Sequence, residues 1–358
     1  MGFVVLEASN REQHEKWLRL WTALPGREVF AHPDYAQLFL EPDSEALCAS
    51  WEVDTDVVLF PFVMRQLSNL PGATSDKIYD IITPYGYGGA FFGGQPVATQ
   101  FWAGFRRWCE EKRVVSCFAR LSLFPTQVLP FDGVISKQQY NVVCNLKSTP
   151  GKIWEQYEAK VRKNVKRAVR CDLTVEVDDC GARLQEFYQI YQSTMERRAA
   201  KQFYLFSESF FTNLVQRLRG MYCFFHVLHE GKVVSTELVL LSSSRMYSFL
   251  GGTLSSHYSM RPNDLLKHSI IEWGISRGLL DFVLGGGAAP NDGIFAYKKS
   301  FAPEGLHPFM VGKQIYDDKL YGHLVQQRKD WLQESYRSIE NTDFFPLYRA
   351  PSSKAQQR

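Results

Sequence analysis

One order of elements occurs twice along this chain, and that doubling limits the fold more than any single motif does. In the first half, two apolar β-rich runs flank an Asp-Thr-Asp turn (ALCASWEV-DTD-VVLFPFVMRQL). A Gly- and aromatic-rich stretch follows, TPYGYGGAFFGGQP from Thr83 to Pro96, and opens onto the helical segment VATQFWAGFRRWCEEK and the strand VVSCFARLSLF. The second half repeats this order. The hairpin MYCFFHVLHEGKVVSTELVLL turns at Glu230-Gly231, RMYSFLGGT extends it, and the helix NDLLKHSIIEWGISRG feeds the strand LLDFVLGG. Side by side, FRRWCEEKRVVSCFARL and IIEWGISRGLLDFVLGG share helix, Trp, basic residue and apolar strand. The correspondence is one of architecture, with little identity. Helices alternating with strands in two such halves predict an α/β fold, and 358 residues suit two domains.

Around this frame the periodicity predicts two opening helices, NREQHEKWLRLWTAL and HPDYAQLFLE, and a strand YNVVCNL. Ser148-Thr149-Pro150-Gly151 starts a new helix, with Ser or Thr as cap and Pro in the first turn. LTVEV reads as a short strand before helices from about Gly181 to Arg197 and from Ser207 to Leu218. YDDKLYGHLVQQRKDWLQESYRSIE is a last helix, and the polar end APSSKAQQR is expected to be disordered.

Composition removes several classes. A net charge of +3 does not argue for nucleic acid by itself, so any basic surface must be local. Apolar runs fall short of a membrane span, and the N-terminus lacks a basic region before an apolar core, so no secretory signal is expected. Leu6 stands where a myristoylation site wants Ser or Thr. The 7 cysteines are scattered, form no CxxC pair and lie mostly in apolar context, the pattern of reduced, buried thiols. A cytoplasmic setting without a structural metal is the expectation.

The candidate chemistry gathers in the second half. In LGGGAAPNDGIFAYKKSFAPEG, a phosphate loop fails because Ile294 follows Gly293, and a dinucleotide fingerprint fails because Pro290 takes the third glycine position. What remains is a strand ended by Gly285, Gly286 and Gly287, which can splay two strands or admit a ligand to the backbone. After Asp292-Gly293, alternation along an extended run would put Lys298 with Ile294 and Ala296, and Tyr297 on the other side. A lysine on that apolar side either meets an anion or a wet cleft, or the two lysines are ordinary surface cations. KVRKNVKRAVR is a helix with the apolar stripe Val161, Val165 and Ala168. Its cations, Arg162 and Lys163 among them, form either a solvated face or an anion funnel for phosphates. Arg197 ends a helix, where it complements the dipole. Glu237, inside the apolar run VVSTELVLL, faces outward, sits in a salt bridge, or is a general base of raised pKa. Asn263 reads as a helix cap, whose bare amides beside Arg261 suit a pyrophosphate as well as they suit a plain cap.

Taken in order, KVRKNVKRAVR, YQSTMERRAAKQFY, MYSFLGGT, RPNDLLKHSIIEWGISRGLLDFVLGGG and DGIFAYKKSF resemble the Fem-type acyltransferases, whose peptidoglycan-bridge members have two domains of the GNAT acetyltransferase fold. The likeness is strongest from Lys152 to Arg328 and looser before, where TPYGYGGAFF carries it. It implies two tandem GNAT-like domains with mixed central sheets flanked by helices: 1–147 on the acceptor side and 148–316 on the donor side. A C-terminal helix, 317–349, would pack back on the first domain, with 350–358 as the tail. The acceptor would bind where the domains meet.

The resemblance also implies direct acyl transfer without metal. Lys298 matches the lysine of the family's Phe-Lys motif, with Tyr297 in place of Phe; Tyr85 and Tyr87 fall on the acceptor side. Glu237 would take the acceptor proton, Tyr297 would protonate the departing thiolate, and backbone amides on a splayed strand would polarise the thioester. Arg162, Lys163, Arg197, Arg261 and Asn263, with the three glycines, would hold the donor. Bridge-forming members use aminoacyl-tRNA and broader relatives acyl-coenzyme A. The intervening APEGLHPFMVGKQIYD and the lack of a long charged coiled coil favour the coenzyme A donor. The expected activity is transfer from acetyl-CoA or another acyl-CoA, with no permanently bound cofactor. The acceptor is an amine or hydroxyl of an envelope sugar or of a nucleotide- or lipid-linked precursor. Aminoacyl-tRNA-dependent bridge addition and a catalytically silent binding module are the alternatives; neither DNA binding nor more than peripheral membrane contact is expected.

Overall fold

The computed structural model describes residues 2–68, 70, 77–200, 205–289, 291–335, 337–339 and 343–354. They belong to two compact units, Met1–Gln138 with Phe309–Arg358, and Gln139–Pro308. In the first, β1 (Phe3–Glu7), α1 (Arg11–Ala23), α2 (Pro33–Gln37), β2 (Ser44–Val53), β3 (Asp56–Gln66), β4 (Tyr79–Ile82), β5 (Phe91–Gly93), α3 (Ala98–Glu111) and β6 (Val114–Arg120) follow in order. The chain passes to the second unit within β7 (Val134–Asn145). There it forms α4 (Pro150–Gln156), α5 (Ala159–Arg170), β8 (Thr174–Asp178), α6 (Leu184–Arg197), α7 (Glu208–Arg217), β9 (Tyr222–His229), β10 (Lys232–Leu241), β11 (Arg245–Thr253), α8 (Pro262–Ser276), β12 (Asp281–Gly285) and α9 (Gly293–Lys299). It returns within β13 (Leu306–Ile315) and ends in α10 (Asp318–Glu334), β14 (Arg337–Ile339) and β15 (Ser352–Lys354).

The two units have the same strand plan. The first orders its strands β1-β2-β3-β4-β6-β13, with β5 beside β3, and the second β8-β9-β10-β11-β12-β7. Each is an antiparallel meander that ends in one parallel pair, β4–β6 or β11–β12. A parallel neighbour needs a crossover, and α3 and α8 supply it. The doubled helix–Trp–strand pattern in the sequence is this α3–β6 and α8–β12 correspondence. A last antiparallel strand closes each plan, β13 beside β6 and β7 beside β12.

Those closing strands explain where the unit bounds fall. Both lie inside strands, at 138/139 and 308/309, earlier than the expected 147/148 and 316/317. β13 was not anticipated, because Pro308 and Gly312 interrupt its run and mute the alternation. β1 and β4 were also missed, being short. The tail expectation is corrected at its start: Ser352–Lys354 pairs with Arg337–Ile339 as β15, which satisfies backbone groups that a free tail would leave to water. Residues 355–358 lie outside the described residues.

In the second unit β10 is buried from Val233 to Leu240 because helices cover both faces of its sheet. Phe224 meets Phe187 of α6 at 4.9 Å, while its neighbour Phe225 meets Trp273 of α8 at 5.4 Å. Successive strand side chains point to opposite faces, so the two rings pack against different helices. In the first unit Phe60 of β3 packs on Trp102 and Phe105 of α3, and Leu324 of α10 closes with Tyr348 over Leu67, Ile78 and Val115. Cys48, Cys109, Cys117, Cys144 and Cys223 are buried, Cys171 is half-buried and Cys180 exposed. Among the described residues no helix is long and apolar enough to cross a membrane, and no group of three or more His, Cys, Asp or Glu is placed to hold a metal.

Candidate donor site in the second unit

α5 buries Val161, Val165 and Ala168 and packs against α8. With that stripe inward, Lys160, Lys163, Asn164, Arg167 and Arg170 line a cavity of about 430 Å³, which Arg261 completes. Arg261 precedes α8 in the left-handed conformation, φ 65°, and Pro262 occupies the first helical turn. Correcting the sequence reading, the capping position is Arg261, and Asn263 is already helical: the Pro at 262 fits only the first turn and fixes where the helix begins. Asn164 Nδ2 donates to Asp264 Oδ1 at 3.1 Å, tying the two helices beside the cavity. Burial raises the Asp264 carboxyl above its ordinary value, opposed by Asn164 and by the charges of Arg261 and Lys160.

Behind the cavity the sheet opens. β11 and β12 pair only from Arg245 to Tyr247 against Asp281 to Val283. Beyond that point β11 stays with β10, through a bulge between Ser248 and Leu250, and β12 turns to β7. Bulges re-aim the backbone, and this one sits where the parallel strands part.

The interior of the opening holds an ion pair. Lys267 of α8 donates to both carboxylate oxygens of Glu237 at 2.5 Å and to Ser248 Oγ at 3.0 Å. Of the three roles that the sequence leaves to Glu237, the structure displays the salt bridge. Lys267 was missed, although a lysine between Leu265, Leu266, Ile270 and Ile271 is the buried cation that a buried Glu requires.

The segment IFAYKKSF is not extended. Asp292 caps α9, its Oδ1 accepting from Phe295 N at 2.8 Å and its Oδ2 from Ala288 N and Ala289 N. The cap turns a run that alternation would leave as a strand into a helix. Burial would raise the Asp292 carboxyl, but these N–H groups hold it below its usual value. As a result Lys298 and Tyr297 are not on opposite faces. Lys298 Nζ donates to Gly286 O at 2.7 Å, and the Tyr297 hydroxyl donates to Asn263 O at 3.0 Å, so α9 joins the end of β12 to the start of α8. Burial, and then the charge of Lys267, lower Lys298 to about 8, with Glu237 and Asp292 pulling the other way. Burial, with Asp264 and Glu237 nearby, lifts the Tyr297 phenol well above its usual value.

Other candidates have structural partners. Arg162 donates to Glu155 O at 3.0 Å and to Tyr157 O, closing the end of α4. Arg197 Nη2 donates to Thr253 O at 3.3 Å and lies over Tyr258 at 5.4 Å. Gly285 needs its positive φ of 82°; Gly286 and Gly287 leave room for Gln139 and Asp292. Tyr85 and Tyr87 belong to the first unit, Tyr85 O accepting from the Tyr35 hydroxyl at 2.6 Å and Tyr87 standing edge-on to Phe30 and Phe309. Thus Lys163 and Arg261 share the cavity; Lys298, Tyr297 and Gly286 adjoin one another through hydrogen bonds; Arg162, Arg197 and the two tyrosines lie apart from the cavity lining.

In the second unit a parallel strand pair parts near a buried ion pair, with a basic cavity at the start of the crossover helix. Residues 156–299, which lie within the second unit, match the family described as acetyltransferase (GNAT) domain. The chain is similar to the crystal structure of FemX, 13% identical with a TM-score of 0.66, over 87% of this chain and 98% of that one. It is also similar to a conserved protein of unknown function from Bacteroides thetaiotaomicron, 9% identical, TM-score 0.54, over 88% of this chain and all 100% of that one. The C-terminal domain of a proposed lysylphosphatidylglycerol synthetase from Agrobacterium fabrum is 13% identical, TM-score 0.51, over 88% and 96% of the two chains. No curated protein gives a significant sequence match. At these identities the likeness is one of fold: two tandem GNAT-like domains, as the second-half motifs led one to expect.

Proposed function

We propose that the second unit transfers an acyl group from acyl-coenzyme A to an amine or hydroxyl of an envelope sugar or of a nucleotide- or lipid-linked precursor. The observation that carries this reading is the cavity where Lys160, Lys163, Arg167 and Arg170 face Arg261 at the start of α8. Free amides and the dipole at a helix N-terminus favour phosphates, and the flanking cations add charge. From there the thioester would enter the gap between β11 and β12, where backbone amides beside the bulge polarise its carbonyl.

The acceptor attacks the carbonyl carbon, the new C–N or C–O bond forms, the C–S bond breaks and the thiolate leaves. Lys298, charged at neutral pH, stabilises the developing oxyanion. Tyr297, kept protonated by burial, passes its proton to the thiolate and takes up in turn the proton that the acceptor's amine or hydroxyl releases as the new bond forms. Glu237 enters as the counter-ion of Lys267, since both its oxygens are engaged. A second reading, an aminoacyl-tRNA donor, draws on the further exposed cation Lys166 beside Lys163, Arg167 and Arg170, more than one coenzyme needs.

Isothermal calorimetry separates the two. Saturable acetyl-CoA binding that Lys163→Ala and Arg167→Ala weaken, followed by product formation with amino-sugar acceptors, supports the thioester donor. Absence of acyl-CoA binding, with tight tRNA binding that falls steeply with salt, would replace it. Binding with no product under any acceptor would leave a silent module.

A further inference from the structure

Ser248 stands where the parallel pair of the second unit ends. Tyr247 opposite Val283 is the last register of β11 with β12. The next residue, Ser248, still lies opposite Val239 of β10, and the bulge follows at once. Alternation puts Ser248 in the same row as Met246, which is buried and packs against Gly274 of α8. An apolar residue is the ordinary choice for the next place in such a row. This chain has a hydroxyl there, and it is half-buried.

Lys267 fixes how that hydroxyl can bond. An ammonium group has three N–H donors and no acceptor. Two of those of Lys267 go to the Glu237 oxygens at 2.5 Å, and the third goes to Ser248 Oγ at 3.0 Å. Phe282 of β12 lies beside the same Nζ at 5.4 Å, so the cation sits at the fork between the parting strands. Because Ser248 Oγ accepts on that side, its own proton points elsewhere, and among the described residues no group accepts it. Accepting from a cation polarises an O–H and strengthens it as a donor. Lys298 shares these surroundings, since the charges of Lys267 and Glu237 both act on it.

We propose that Ser248 is a further catalytic residue, whose hydroxyl donates a hydrogen bond to the carbonyl oxygen of the donor's thioester. This rests on the acyl-coenzyme A reading of the second unit. As the acceptor attacks, the carbonyl electron pair moves onto oxygen, and the bond from Ser248 tightens with the growing charge. The oxyanion then collapses and the C–S bond breaks. Ser248 keeps its proton throughout and forms no bond to the acyl group. The pair Lys267 and Glu237 acts through Ser248 as its positioning group: it turns the hydroxyl outward and adds no net charge of its own.

Isotope-edited infrared spectroscopy of the full chain, with acetyl-CoA labelled at the acetyl carbonyl carbon, reads this bond directly and needs no acceptor. In the wild type the bound carbonyl band should lie below that of free acetyl-CoA. It should move back toward the free value in Ser248→Ala and stay down in Ser248→Thr, which keeps the hydroxyl. Calorimetry should show the Kd for acetyl-CoA changed by less than about twofold in Ser248→Ala, because the bond is strong only in the transition state. With any amino-sugar acceptor that the wild type acetylates, the same change should lower kcat by about 10² and leave KM for acetyl-CoA as it was. Where Ser248→Ala does not fold, Ser248→Cys, of similar shape and a weaker donor, gives the same comparison. A bound band at one position in the wild type and in the variant lacking the hydroxyl overturns the proposal and leaves the donor reading standing. An acetyl group found on Ser248 by mass spectrometry after incubation with the donor alone makes it a nucleophile and also overturns it. Absence of acetyl-CoA binding to the wild type removes the donor reading, and this proposal with it.

Discussion

Lys267 Nζ stands 2.5 Å from each carboxylate oxygen of Glu237, and the two residues are 4% and 5% exposed. Removing one partner strands a buried charge, so Glu237→Gln or Lys267→Met alone should destabilise the protein by about 3–5 kcal/mol. The double change Glu237→Met with Lys267→Met should cost much less than the sum, because no charge is left behind. Urea denaturation of all three variants measures this; strictly additive losses would mean that the pair is not coupled.

Lys298 makes the chemistry pH-dependent. Its folded-state value of about 8 lies below the ordinary lysine value of ~10.4. Between those limits the unfolded chain binds a proton that the folded one has released, so this group makes stability rise with pH across the window. Below about 8 both states are protonated and its pH slope vanishes. Lys298→Met should flatten that part of the stability profile.

Activity should run the other way. If the charged lysine stabilises the oxyanion, kcat/KM falls as pH passes about 8. Lys298→Arg, which stays charged, should extend the plateau, and Lys298→Met should lower the rate by about 10²–10³ below that pH, with the gap closing above it. A rate that climbs through this range would assign the neutral amine instead.

Neighbours on α5 should separate cleanly. Arg162 serves the α4 carbonyls, so Arg162→Met should cost about 1–3 kcal/mol in thermal or urea unfolding and leave donor affinity unchanged. Lys163 is exposed in the cavity lining; Lys163→Met should change stability by less than ~0.5 kcal/mol and weaken the donor severalfold in calorimetry.

A methyl group at Gly286 would stand 2.3 Å from Gln139 Nε2 and 2.5 Å from Asn141 Oδ1, whereas one at Gly293 would meet nothing within 4 Å. Gly286→Ala should therefore cost about 1–3 kcal/mol and displace the carbonyl that Lys298 holds. Gly293→Ala, in the first turn of α9, should be neutral or slightly stabilising. Parallel assays of unfolding and acyl transfer check both.

Much of the fold was legible because its signals are local. The stripe Val161, Val165 and Ala168 is buried as its spacing implied, and the turn at Glu230-Gly231 joins β9 to β10. Asp292 shows the limit: read by alternation, the residues after it form a strand, but a single side chain accepting three backbone N–H groups makes them a helix and sends Lys298 to Gly286.

By itself the sequence determined the doubled order of helices and strands, the apolar stripe of α5 and the basic residues it leaves outside, since these depend on neighbours within a few positions. Tertiary structure alone decided that Glu237 meets Lys267, that β13 and β7 close the two sheet plans, and that Arg261 faces α5. Each of those pairings joins residues far apart in the chain, and which distant groups meet follows from how whole faces pack, which no local pattern encodes.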